Sequence, residues 1–301
     1  MQKKIKSYLS FTKFRLAFSV ILSALSGYLL ARFHFGEDYA GTSNNIWLDI
    51  FFLLVGGVLV TAASNGSNQI WERKIDVLMN RTKKRPLPTE EMSVSEGFVV
   101  VAVSLIIGLW MLYQFNLASA TLGFIAFISY VFIYTPMKRI SPWAVVVGAV
   151  PGAIPPMLGA IAYTGEFGAL PGALFFVQFF WQLPHFWAIA WISHEDYQRG
   201  GFYLLPSNTG KSKTSAFRIA VSALLLIPIS IAPWFLQDAY GEFISEVSVL
   251  GASVLGLFFF LSAYKLLVTL KDKDAKVLMF VSIIYLPLIQ FLYVIDKYFF
   301  L

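Results

Sequence analysis

The sequence predicts an all-α polytopic membrane protein, nine transmembrane helices in one bundle, with the N-terminus cytoplasmic and the C-terminus outside. Three observations carry that prediction. The 301 residues are 57% hydrophobic and only 13% charged, whereas soluble domains carry about 25% charged residues. A soluble core cannot hide so much apolar surface, so the alternative solvent is lipid. Apolar runs long enough for a helix to cross a bilayer recur nine times along the chain. When those runs are threaded alternately through a membrane, 21 of the 23 Lys and Arg fall on one side, the asymmetry that marks cytoplasmic loops.

The first span covers about residues 14–35 and follows a basic tail, Met1 to Arg15, that shows no small-residue cleavage site. It reads as an uncleaved first helix. The others cover about 46–66, 94–114, 117–135, 143–163, 171–192, 216–236, 246–268 and 277–296. Each is read as helix because lipid leaves backbone polar groups no other partner. Pro151, Pro155, Pro156, Pro184, Pro228 and Pro287 lie inside spans and imply kinks supported by neighbouring helices. The outside loops are short and mildly acidic, with Glu37, Asp38, Asp49, Glu166 and Asp238, and only Arg32 and Lys297 break the charge rule. The net charge of +6 therefore reports topology beside an anionic leaflet, not nucleic-acid binding. The absence of cysteine excludes disulfides, thiolate metal sites and covalent c-type haem attachment. The two longest loops, about 67–93 and 193–215, both lie inside, and long loops on one face of a bundle usually carry function.

Asn68, Glu72 and Asp76 open the first long loop at spacing i, i+4, i+8. On a helix they stack along one face. Two carboxylates and an amide make a hard-oxygen surface of the kind magnesium takes, with phosphate oxygens and water completing the shell. By themselves they suit a solvated helix end equally well. Arg81, Lys83, Lys84 and Arg85 follow at once, and this basic run beside carboxylates suits an anion such as a diphosphate. Tyr134 and Lys138 share a helix face at the inside end of the fourth span. They suit a phosphate contact and a ring facing a cation, or an interfacial anchor. His185 lies inside the sixth span one residue after Pro184. An ionisable group in a membrane span points to function by default, although it could also donate to a carbonyl that Pro184 frees. Glu195, Asp196 and Tyr197 give the second long loop its own acidic cluster.

Taken in order, these motifs resemble the UbiA-type intramembrane prenyltransferases, and within them the branch that farnesylates protohaem IX. The resemblance spans nearly the whole chain as one domain over 1–301. It rests on the Asn68–Glu72–Asp76 stripe, the Met79–Pro88 segment, Tyr134 with Lys138, Gly152 to Gly159 with Pro155 and Pro156, Pro184-His185-Phe186-Trp187, and Asp196-Tyr197 followed by Leu205-Pro206. The Arg81-Thr82 to Arg85-Pro86 string and the Pro184–Trp187 string point to the haem branch. Three positions depart from the superfamily pattern: Glu72 where Asp is usual, Lys74 where a further acid often sits, and Ile192 four residues before Asp196.

The resemblance implies a prokaryotic plasma-membrane enzyme with its active site toward the cytoplasm. It implies two acidic motifs facing one cavity and magnesium as cofactor, with Asn68, Glu72, Asp76, Asp196 and Glu195 as candidate ligands. The substrates would be farnesyl diphosphate and protohaem IX, and haem A synthase a partner. Catalysis would rest on the metal ligands with Tyr134 and Lys138. Arg81, Lys84, Arg85, Lys138, Trp71, His185, Trp187 and Tyr197 are the expected substrate contacts. Two other readings compete. A quinone-type aromatic acceptor is disfavoured by the Pro184–Trp187 string. A transporter would need matched broken helices with midplane charges, whereas the charges here cluster in two loops on one side.

Overall fold

The computed structural model describes residues 2–36, 45–238 and 240–301. Glu37 and Asp38, expected in an acidic outer loop, lie outside them. Among the described residues nine helices are long and apolar enough to cross a membrane. In chain order the helices are α1 (Gln2–Phe11), α2 (Phe14–Phe35), α3 (Ile46–Asp76), α4 (Val94–Tyr113), α5 (Leu117–Ile128), a π-helical turn (Ser129–Tyr134), α6 (Thr135–Met137), α7 (Ala144–Thr164), α8 (Ala169–Ile192), α9 (His194–Arg199), α10 (Lys213–Phe235), α11 (Glu246–Thr269) and α12 (Asp272–Phe300). The chain from α5 through α6 forms one span. A two-residue hairpin, β1 (Gln237–Asp238) with β2 (Gly241–Glu242), lies between α10 and α11.

Local chemistry starts the helices where the sequence changes character. Asn45 accepts from the amides of Trp47 and Leu48 at the start of α3. Ser93 and Glu96 form a reciprocal capping box at the start of α4. Asn116 accepts from Ser119 N and also donates to Ile161 O, so one side chain caps α5 and ties it to α7. The exterior is apolar: Phe98, Val99, Ile106 and Trp110 form an exposed stripe along α4, which is the face a lipid-embedded helix presents.

Successive spans pack side by side, and α12 closes back on α2. The result is a ring around a central space. The ring is pinched where α2 crosses α7: a Cβ on Gly159 would collide with Ala24 O, and one on Gly27 with Pro156 O. Small residues are what let two membrane helices approach this closely. Inside the bundle, Gln290 donates to Ser23 Oγ and to Gln178 Oε1, both at 3.0 Å, which joins α12 to α2 and α8. The boundaries depart from the sequence expectation chiefly in α3. It runs on to Asp76, so the first part of the expected long loop is a continuation of the second span.

Candidate active site

A cavity of about 480 Å³ occupies the centre of the ring, within the size range of small-ligand sites. Its wall along α3 runs from Leu53 to Asp76, roughly 34 Å at 1.5 Å per residue. The deep part is apolar, with Leu53, Val60, Leu112, Leu158 and Leu286. The charges gather at the end carrying the two long loops.

The α3 stripe reaches this cavity as the i, i+4, i+8 spacing requires, and Asn68, Glu72 and Asp76 are all buried. Each carboxylate holds a cation from another segment. Lys138 Nζ lies 2.7 Å from Glu72 Oε1. Arg85 Nη1 reaches both Asp76 oxygens, at 2.8 and 2.7 Å. Lys138 also sits 4.7 Å from the centre of the Tyr134 ring. Tyr134 belongs to the π-helical turn, and α7 can approach it because residue 148 is glycine: a Cβ there would stand 2.6 Å from the ring. A π-turn in a helix is often a functional feature, and nothing in the sequence announced it.

Asn68 is oriented by a relay. Thr135 Oγ1 donates to Tyr130 O at 2.9 Å. Its hydrogen is thus spent, so it accepts from Asn68 Nδ2 at 3.2 Å. That fixes the amide and leaves Asn68 Oδ1, unpartnered among the described residues, on the cavity side with Glu72 and Asp76. Two carboxylates and a carbonyl oxygen are a donor set that fits a hard divalent cation. No group of three or more His, Asp or Glu able to hold a metal occurs among the described residues. Any ion here therefore needs amide, water or substrate oxygens as well.

The second acidic motif does not face the cavity. Asp196 Oδ1 and Oδ2 accept from the backbone amides of Asn80 (2.8 Å) and Arg81 (3.0 Å). Burial alone would raise this carboxyl, but those two amides, with Arg199 and Arg81 nearby, hold it below the usual carboxylate range. Asp196 thus fastens one long loop to the other. Glu195 is exposed and absent from the cavity wall. Neighbouring Tyr197 does line the cavity, and the Arg81 guanidinium lies 4.7 Å above its ring.

Deeper in, Gln178, Trp181, Gln182, His185, Phe186 and Ile189 present one face of α8 to the cavity. His185 stacks on Trp181 with ring centres 4.7 Å apart. Its Nδ1 lies 2.7 Å from Ser282 Oγ. Ser282 Oγ donates to Met279 O at 2.6 Å, so here too the hydroxyl must accept. His185 Nδ1 carries the hydrogen and Nε2 is left with its lone pair. Pro184 plays no part in this: the imidazole bonds to α12, not to a freed carbonyl of α8.

Three expected substrate contacts lie elsewhere. Trp71 lies on α3 with Asp76 but sits one residue before Glu72, so it turns off the stripe, half exposed beside Phe132. Lys84 points outward and is exposed. Trp187 is buried but absent from the cavity wall, two residues from His185 and hence roughly 200° around the helix. Conversely, Lys13, Gln178 and Gln182 line the cavity and were not among the expected site residues. The buried glutamines could have been found from their polarity within an apolar span.

Residues 16–284 match the model of the UbiA prenyltransferase family. The chain is 44% identical to the protoheme IX farnesyltransferase of Flavobacterium psychrophilum, over 95% of this chain and 93% of that one. It is 40% identical to the protoheme IX farnesyltransferase of Cytophaga hutchinsonii, over 99% of both. Among solved structures, digeranylgeranylglyceryl phosphate synthase superposes with a TM-score of 0.77 at 17% identity, over 99% of both chains. A UbiA homolog from Archaeoglobus fulgidus bound to GPP and Mg2+ superposes with 0.64 at 16% identity, over 96% of this chain and 99% of that one.

Proposed function

We infer the reaction from one premise: the chain belongs to the UbiA prenyltransferase family. It is a membrane prenyltransferase that transfers a farnesyl group from farnesyl diphosphate to a vinyl group of protohaem IX, giving haem O and diphosphate. The observation that carries this reading is the division of one cavity into a charged mouth and a long apolar interior. A prenyl diphosphate has the same two parts.

In this reading the diphosphate lies at the mouth, where Arg81, Arg85 and Lys138 can donate to it. Asn68, Glu72 and Asp76 would hold magnesium, and the ion supplies charge that stabilises the leaving diphosphate. Glu72 and Asp76 keep their cationic partners close to the leaving group. As the bond to the farnesyl C1 ionises, the electron pair leaves with the diphosphate. The Tyr134 ring faces the resulting allylic cation, and the apolar walls keep water from it. The haem vinyl supplies its π electrons to C1, and water captures the cation formed beside the macrocycle, losing a proton to the released diphosphate or solvent and leaving a hydroxyl.

His185 contacts the acceptor. A neutral Nε2 with a lone pair is a ligand for haem iron and a poor partner for a propionate, which offers only lone pairs of its own. The protein spans the membrane, with its chemistry on the cytoplasmic side where the basic loops lie. The direct test is incubation of purified protein with farnesyl diphosphate, magnesium and haemin, followed by mass analysis of the porphyrin. A porphyrin in which one vinyl has become a hydroxyethylfarnesyl group, heavier by a farnesyl and a hydroxyl, is expected. Diphosphate release with unchanged haem would overturn the choice of acceptor.

A further inference from the structure

Among the described residues four cations line the mouth of the cavity, and three of them are already engaged. Arg85 is on Asp76, Lys138 on Glu72 and Arg81 over Tyr197. The fourth is Lys13, whose ammonium has no ion pair or hydrogen bond among the described residues. It comes from the turn between α1 and α2, remote in sequence from both long loops.

That turn is built with care. Lys13 adopts a left-handed backbone, φ 50° and ψ 46°, which residues with a Cβ avoid. Such a conformation persists only where its surroundings impose it. Here they are visible. Gln69 Nε2 donates to Phe11 O at 2.6 Å and to Ser10 O at 3.3 Å. Asn65 Nδ2 donates to Thr12 O at 3.4 Å. The Phe11 ring is fully buried over Gly66 and Gly97, and a Cβ at Gly66 would come within 2.7 Å of it. Asn65 and Gln69 stand on the same helix as Glu72 and Asp76, at spacings of four, three and four residues. One face of α3 therefore holds both the carboxylates and the backbone of the turn that brings Lys13 to the cavity wall.

We propose that Lys13 binds the diphosphate of the prenyl donor, as a cation held in place without an ion-pair partner until that anion arrives. This rests on the diphosphate reading of the cavity. Arg85 and Lys138 share their charge with a carboxylate in contact and Arg81 lies over an aromatic ring, whereas Lys13 feels Glu72 only through space. The surroundings agree: burial, with Arg85 and Lys138 nearby and only partly offset by Glu72, pulls the ammonium down to about 7.

The test compares Lys13→Gln, Lys13→Arg and Lys13→Gly in the full-length detergent-purified protein. Inorganic pyrophosphate is the probe, used as a competitive inhibitor against farnesyl diphosphate. Losing one charge-assisted contact should raise both the pyrophosphate inhibition constant and the KM for farnesyl diphosphate about ten- to a hundredfold. The KM for haem should not move. Lys13→Arg should recover most of the loss. Lys13→Gly separates binding from architecture: it relieves the left-handed backbone, so a purely structural lysine would be replaced without loss of inhibition. Pyrophosphate inhibition at the wild-type constant in folded Lys13→Gln or Lys13→Gly overturns the proposal. A wild-type protein that pyrophosphate does not inhibit overturns the diphosphate reading itself, and the proposal with it.

Discussion

The two ends of the bundle bury acids in different company. At the loop end, Glu72 and Asp76 are buried and each holds a cation, Lys138 and Arg85, from another segment. At the opposite end, Asp296 is just as buried, and it accepts from Ser245 N at 2.6 Å and from Ser245 Oγ. The serine fixes the carboxylate with neutral donors and fastens α11 to α12. Buried ion pairs are weak devices for stability, because desolvation offsets most of the attraction. An ion pair at the rim of a cavity has a property the serine clamp lacks: its members can exchange partners for an incoming charged ligand. The comparison thus separates acids that fasten the fold from acids that wait for substrate.

The sharpest way to break it is Asp76→Asn. Asparagine keeps one oxygen for Arg85, so the protein should still extract and purify as a folded membrane protein. Turnover should fall by roughly 10²–10³ or more, the scale set by losing one preorganised electrostatic group. Substrate binding should weaken less than the rate, since the charge matters most as the leaving group develops its own. Wild-type turnover of Asp76→Asn with haemin and farnesyl diphosphate would remove the stripe from the mechanism.

The same hydroxyl relay orients Asn68 at the mouth and His185 deep in the cavity, and it can be probed at its deeper copy. His185→Gln should lose about ten- to a hundredfold in haem affinity, read from the Soret band of bound haem, while pyrophosphate inhibition stays normal. Ser282→Ala should lose less, roughly threefold to tenfold, because it removes only the partner that selects the tautomer. Full haem farnesylation by His185→Gln would leave acceptor recognition to other walls of the cavity.

Much of this was legible in the sequence, for physical reasons that can be named. Spans declare themselves because lipid admits only long apolar helices. The Asn68–Glu72–Asp76 stripe declares itself because its spacing matches the helix repeat. What depends on the docking of distant segments was not legible. No local rule places Arg85 on Asp76, turns Asp196 onto the amides of Asn80 and Arg81, or carries Lys13 back to the cavity. The motif strings also misled where they ignored helix faces. Trp71 and Trp187 belong to the right strings, but each sits on the wrong side of its helix.

At the opposite end, Asp296→Ala should cost about 1–3 kcal/mol, the range for stranding a buried hydrogen-bonding partner, here Ser245 N. Thermal unfolding in detergent should shift downward. The kcat/KM per folded molecule should stay at the wild-type value. A large loss of activity with unchanged melting would erase the distinction between the two ends.

The smallest effect is expected at Trp187, and it tests how far helix geometry outranks motif membership. Its indole Nε1 is buried and has no hydrogen-bond partner among the described residues. Trp187→Phe removes a donor whose burial nothing offsets, a gain for the folded state. It also removes ring volume from a packed site, which costs stability through the void left behind. The two terms oppose each other, so the net change should stay within about 1 kcal/mol. Activity is the sharper readout. Trp187 lies away from the cavity that His185 faces, so kcat and the KM values for haem and farnesyl diphosphate should all remain within about twofold of wild type. A selective rise in the haem KM of Trp187→Phe, with melting unchanged, would mean that the acceptor extends past the α8 face seen here. Trp187 would then join His185 as an acceptor contact.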